Sequence, residues 1–139
     1  MKVREVMHRG VACAEPGTPI RDVAAMMRKA DVGSIPIHEK GRLVGIVTDR
    51  DIAVRAVADG RDIDALTARE VMTFDPLCCR ESDDLDRTIA LMEHRKVRRV
   101  PVIGDAGEPI GMVSLGDIAG RVGKDESGEL LNAVSEHHA

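Results

Sequence analysis

The sequence predicts an α+β fold built twice from one strand, helix, hairpin, helix unit, and three observations carry that prediction. The first is a long internal repeat. Arg4-Glu5-Val6-Met7 returns unchanged as Arg69-Glu70-Val71-Met72, and at the same offset of 65 residues Cys13, Met27, Val32 and Ile35-Pro36-Ile37 meet Cys78, Met92, Val97 and Val100-Pro101-Val102. One extra residue in the second loop makes the offset 66, which pairs Gly45 with Gly111 and Asp51 with Asp117. A match this long at nearly constant spacing is a duplication. The second observation is periodicity, which switches in each copy between short β-type runs and one helical stripe. The third is size: 139 residues suit one compact domain, whereas a copy of about 60 has a marginal core and a bare sheet face, so the copies are expected to pack together.

Each copy opens on the Arg-Glu-Val-Met arm. Val11-Ala12-Cys13 and Leu77-Cys78-Cys79 follow, apolar runs too brief for a helix and read as buried strands. A helix comes next, with Thr18 expected as its cap and Pro19 at its first position; in the second copy Asp83 takes the cap place. Ile20, Val23, Ala24, Met27 and Ala30 recur at helical spacing, as do Leu85, Thr88, Ile89 and Met92, so one stripe of each helix faces a core. Ser34–His38 and Leu43–Val47, joined by Glu39-Lys40-Gly41-Arg42, read as a hairpin, and Arg99–Ile103 with Ile110–Val113 read as its repeat. Pro36 and Pro101 have no N–H to donate, so each is expected at a sheet edge or at the start of pairing. Closing helices are expected from Asp51 to Val57 and from Asp117 to Val122. The boundaries that follow are 1–63 for the first copy, 64–123 for the second, and 124–139 for a short helix around Leu130, Leu131 and Val134 with a frayed tail.

Composition narrows the function. A net charge of −4 gives no general attraction to nucleic acid or to an anionic membrane. One Phe, no Trp and no Tyr remove the aromatic platforms on which single strands stack. No leader pattern opens the chain and no apolar run nears the ~20 residues of a membrane span, so a cytoplasmic location is expected. Cys13, Cys78 and Cys79 lack metal-finger spacing and fit a reducing compartment, while His8, His38 and His94 show no zinc-ligand spacing, so no metal site is expected. No nucleophile stands beside a base in the pattern, and the chain is expected not to be an enzyme.

The chemistry-bearing motif is Gly45-Ile46-Val47-Thr48-Asp49-Arg50-Asp51 with its echo Gly111-Met112-Val113-Ser114-Leu115-Gly116-Asp117. Thr48-x-x-Asp51 and Ser114-x-x-Asp117 fit a capping box, which ties down a helix start and needs no ligand. A helix start also offers N–H groups to a phosphate, with the hydroxyl as a further donor. A carboxylate one turn on suits the two hydroxyls of a ribose. At this level both readings stand: a nucleotide half-site in each copy, or caps in a ligand-independent interaction scaffold. The basic run His94–Arg99 is equally open. Its cations compensate a helix end, or Arg98 and Arg99 grip a ligand phosphate through a bidentate fork.

The duplicated unit, with its Ile-Pro-Ile or Val-Pro-Val strand and its Gly-apolar-Val-Thr/Ser-x-x-Asp ending, resembles a tandem pair of CBS domains, a Bateman module, over nearly the whole chain. Its small format is similar to stand-alone bacterial CBS-pair proteins. The resemblance implies a pseudo-twofold pair of βαββα units packed sheet to sheet, with AMP, ADP, ATP or S-adenosylmethionine bound in clefts between the repeats. It puts ribose-binding carboxylates at Asp51 and Asp117 and phosphate-side hydroxyls at Thr48 and Ser114. Adenine-contacting strands fall at Ile35-Pro36 and Val100-Pro101, with Thr18 near the base. It further implies a non-catalytic regulatory module, a homodimer, an effector protein that carries the output, and an adenine nucleotide as regulatory ligand with no other cofactor required. Unequal occupancy is expected, because Arg50 and Thr18 of the first copy face Gly116 and Asp83 in the second, which has Arg98 and Arg99 instead.

Overall fold

A computed structural model describes residues 1–121. In chain order the elements are β1 (His8–Arg9), α1 (Ile20–Ala30), β2 (Ser34–Glu39), β3 (Arg42–Thr48), α2 (Asp49–Ile52), α3 (Ala68–Val71), β4 (Thr73–Phe74), β5 (Cys79–Arg80), α4 (Leu85–Arg95), β6 (Arg99–Ile103), β7 (Pro109–Ser114) and α5 (Leu115–Ala119). Single 3-10 turns cover Val3–Glu5 and Ile63–Ala65, and α2 continues as a wider π turn over Ala53–Val57. Helix, hairpin, helix recurs in both halves, and the fold is α+β as the repeat predicts. The expected helix around Leu130 lies outside the described residues.

The chain forms two compact units. The first-repeat unit comprises Val11–Pro76 with Asp105–Pro109; among the described residues the second-repeat unit comprises Met1–Gly10, Leu77–Gly104 and 110–121. Each unit therefore contains the Arg-Glu-Val-Met arm that precedes the other repeat. In the first-repeat unit the sheet order is β2-β3-β4, with Gly45 opposite Phe74 and Ile46 opposite Thr73. In the second-repeat unit it is β1-β7-β6-β5, with His8 opposite Met112 and Arg9 opposite Gly111. The arms also fill the cores. Ala68 and Val71 pack with Ile20, Val23, Met27, Ile35, Ile37 and Val47. Val3 and Val6 pack with Leu85, Ile89, Met92, Val100, Val102 and Ile118. Fully burying Val3 or Val71 contributes roughly 1.5–3 kcal/mol each, so each arm is structural mass of the unit it enters.

The arm explains the motif glycines. A Cβ on Gly45 would stand 2.6 Å from Sδ of Met72 and 3.0 Å from the carbonyl of Thr73. On Gly111 it would collide with the carbonyl of His8 and with Cε of Met7. Only hydrogen fits where the arm crosses β3 and β7.

Several local expectations are corrected. The runs read as first strands pair less than expected. Cys79–Arg80 lies parallel to Val102–Ile103, and the first copy has one parallel bridge, Ala14 to Ile37. Ala12 is exposed, so that run is not a buried strand. Thr18 does not cap α1: its Oγ1 accepts the N–H of Glu15 at 3.0 Å, and Pro19 stands at the cap. Asp83 likewise accepts the N–H of Arg80 at 2.9 Å, while Asp84 caps α4. A side chain committed to the turn behind it cannot also cover the helix ahead. The closing helices begin two residues early, at Asp49 and Leu115, because Thr48 and Ser114 are their caps. Pro36 lies on an edge strand as expected, and Pro101 lies just before the residues of β6 that pair with β5.

Candidate functional site

The predicted residues divide evenly: Thr18, Ile35, Pro36, Thr48, Arg50 and Asp51 lie in the first-repeat unit, and Arg98, Arg99, Val100, Pro101, Ser114 and Asp117 in the second. Within each unit one hydrogen bond ties the start of the hairpin to the start of the closing helix. The N–H of Asp49 donates to the carbonyl of Gly33, and that of Leu115 to the carbonyl of Arg98, both at 3.0 Å. Ser34 pairs with Thr48, so Ile35 and Pro36 run away from the same corner. The side chains of Ile35 and Val100 belong to the cores, at 1% and 0% exposure. Any ligand contact from them comes from main chain. Thr18 bonds to Glu15 and, through its carbonyl, to Ala68, and not to the Thr48–Asp51 corner.

Both motif pairs are complete capping boxes. In the first, Oδ2 of Asp51 accepts the N–H of Thr48 at 2.9 Å and Oγ1 of Thr48 accepts the N–H of Asp51 at 3.0 Å. In the second, Oδ2 of Asp117 accepts the N–H of Ser114 at 2.9 Å, and Oγ of Ser114 accepts the N–H of Asp117 at 3.3 Å. Each cap thus consumes one carboxylate oxygen and leaves Oδ1.

The two Oδ1 atoms meet different surroundings. Near Asp51 stands Arg55, whose Nη2 is 3.8 Å away while its Nη1 bonds the carbonyls of Val71 and Met72 at 3.0 and 3.1 Å. Near Asp117 stands His8, with Nε2 at 2.6 Å. The Ser114 hydroxyl also donates to Oδ2 of Asp117 at 3.0 Å, whereas the hydroxyl of Thr48 donates to neither oxygen of Asp51. Neither His8 nor Arg55 was singled out as a site residue by the sequence reading. The signal available for His8 was its place after Met7, where the other copy has Thr73.

The cations sort more simply. Arg50 and Arg98 are exposed and Arg99 is half-buried. Among the described residues none of these guanidinium groups sits in an ion pair. His94 and Arg95 occupy the last turn of α4, where a cation compensates the helix dipole.

Thiol chemistry is not favoured. Burial, with Asp83 and Cys78 adding to it, pushes the Cys79 thiol up to about 12. Burial also raises Cys13, and raises Cys78 against the opposing pull of Arg80. All three cysteines are free. Among the described residues no three His, Cys, Asp or Glu side chains group as a metal site requires, and no helix is long and apolar enough to cross a membrane.

Comparison with known proteins agrees with this architecture. The CBS domain-containing protein YhcV of Bacillus subtilis is 34% identical over 137 residues, covering 98% of this chain and 96% of its own. The crystal structure of hypoxic response protein I with two coordinated zinc ions superposes with a TM-score of 0.79 at 32% identity, over 88% of this chain and all of that one. The CBS domain pair of protein MJ0100, in complex with 5′-methylthioadenosine and S-adenosyl-L-methionine, gives 0.80 at 27% identity, over 88% of this chain and 100% of that one. The CBS domain family matches residues 3–57 and 68–124. With two matching repeats that span most of its length, the chain belongs to the CBS domain family.

Proposed function

We propose that the protein is a non-catalytic regulatory module that binds an adenosine-containing ligand at its Thr48/Asp51 and Ser114/Asp117 pairs, with the Asp51 pair as the stronger half-site. The observation that carries the reading is the division of labour within each carboxylate. Oδ2 holds the cap, and Oδ1 lies outside it, so one Asp can cap a helix and still accept a ribose hydroxyl. At Asp51, among the described residues, the nearest cation to that oxygen is Arg55 at 3.8 Å, beyond hydrogen-bond distance. In this reading the Thr48 hydroxyl and the exposed Arg50 would serve as donors to a phosphate, and Arg98 and Arg99 would do so for the second half-site. The adenosine ligands of the MJ0100 pair support the ligand class.

The proposal extends to assembly and location. Val54 and Val57 are exposed at 48% and 64% on the turn that continues α2, an apolar pair suited to a homodimer contact. An effector protein receives the output. Free thiols support a cytoplasmic setting.

A second reading is favoured by the completeness of both capping boxes, which need no ligand: an interaction scaffold that binds no nucleotide. A thermal-shift screen with AMP, ADP, ATP and S-adenosylmethionine separates the two. Ligand at about 100 times its Kd adds about 2.7 kcal/mol, a shift on the order of 5–10 °C. Asp51→Asn removes most of that shift while the protein stays folded. Absence of any shift at millimolar ligand leaves the scaffold.

A further inference from the structure

We propose that His8 latches the Asp117 half-site, occupying the carboxylate oxygen that a ligand diol needs, so that a ligand enters there only by displacing the imidazole. The inference rests on the nucleotide reading above. Two donors already engage Oδ2 of Asp117, the N–H and hydroxyl of Ser114, and Nε2 of His8 stands against Oδ1 at 2.6 Å, within ion-pair distance. Among the described residues Asp51 receives only the N–H of Thr48 on Oδ2, with Arg55 at 3.8 Å from Oδ1. A vicinal diol brings two O–H donors to one carboxylate. At Asp51 there is acceptor capacity to receive them; at Asp117 the imidazole holds the place of one.

The geometry makes His8 a latch and not a wall. Its side chain is 77% exposed while that of Asp117 is 11% exposed, so the imidazole can swing into water without disturbing the core. Its main chain stays fixed by pairing with Met112. The corresponding residue of the other arm is Thr73, and among the described residues Thr73 makes no side-chain hydrogen bond to Asp51. The latch is thus a property of one half-site and is delivered by the arm that precedes the opposite repeat. Because the imidazole is mostly exposed, its release into water costs little.

The test is calorimetric titration of the full chain with AMP, and with ATP and S-adenosylmethionine in parallel, in an Asp51→Asn background that silences the first half-site. His8→Ala tightens binding there roughly two- to five-fold. His8→Gln, which keeps an N–H donor of similar reach, does not. The gain is smaller for 2′-deoxyadenosine monophosphate, which brings one hydroxyl fewer. Unchanged or weaker binding in His8→Ala, with binding still lost on Asp117→Asn, overturns the latch and leaves the nucleotide reading intact. No binding of any of the three ligands to the wild type or any variant overturns the nucleotide reading and the latch with it.

Discussion

The guanidinium of Arg55 donates to the carbonyl oxygen of Val71 at 3.0 Å, so the turn that continues α2 holds the end of α3 in the first-repeat unit. The same Nη1 reaches the carbonyl of Met72. Arg55→Ala strips a charged donor from two carbonyls and is expected to cost about 1 kcal/mol, at the low end for such bonds because water can replace a half-exposed side chain. Urea denaturation reads this directly. An unchanged midpoint would show that water satisfies both carbonyls.

Gly45→Ala and Gly111→Ala are each expected to cost about 1–3 kcal/mol, since the added methyl meets the arm that crosses them. Gly116 is the control. The nearest atom to a Cβ there is Oγ of Ser114 at 3.7 Å, and the residue lies within α5, so Gly116→Ala should raise stability by roughly 0.5–1 kcal/mol. Melting temperatures of the three variants should therefore move in opposite directions.

Asp31 and Lys96 end α1 and α4 in the left-handed conformation, at φ of 55° and 53°. That region costs a side-chain-bearing residue about 1–2 kcal/mol that glycine escapes. Part of the gain is offset by the freer unfolded chain. Asp31→Gly and Lys96→Gly are each expected to stabilise the fold by about 0.5 kcal/mol, visible as a higher denaturation midpoint; lower midpoints would place the strain elsewhere.

Burial holds the Cys79 thiol protonated to about pH 12 in the folded chain, against about 8.5 for a free thiol. Below the lower value both states carry the proton and Cys79 adds no pH dependence. As pH rises from there towards the folded value, the unfolded chain releases a proton that the native one keeps, and stability falls. Iodoacetamide at pH 8.5 should therefore modify Cys79 only after urea unfolding. Native labelling at the rate of free cysteine would contradict the burial.

The hairpins and the long helices α1 and α4 were legible because their signals are local: short β-type runs joined by a turn-forming link, and apolar residues at helical spacing. The caps were displaced by one residue because Thr18 and Asp83 each have two possible uses for one oxygen, and sequence spacing does not rank them. The arms were legible as a repeat but not as an exchange. Identical Arg-Glu-Val-Met words establish likeness between copies and carry no information about which sheet each enters. His8 and Arg55 escaped notice for a related reason, since each reaches its carboxylate or carbonyl from an element that the motif does not contain. The half-site residues of the motif itself were legible, because Thr48 with Asp51 and Ser114 with Asp117 lie within one turn.

The pairing of His8 with Met112 joins residues more than a hundred positions apart. Residues 1–10 are thus made before the whole first repeat yet find their place only once β7 exists. A chain of this kind closes its second-repeat core only across the intervening first repeat, and the loop-closure entropy of that step falls on folding speed more than on final stability. Splitting the gene between the repeats would leave each product with the wrong arm, and the fragments would regain complete cores only by trading arms with each other.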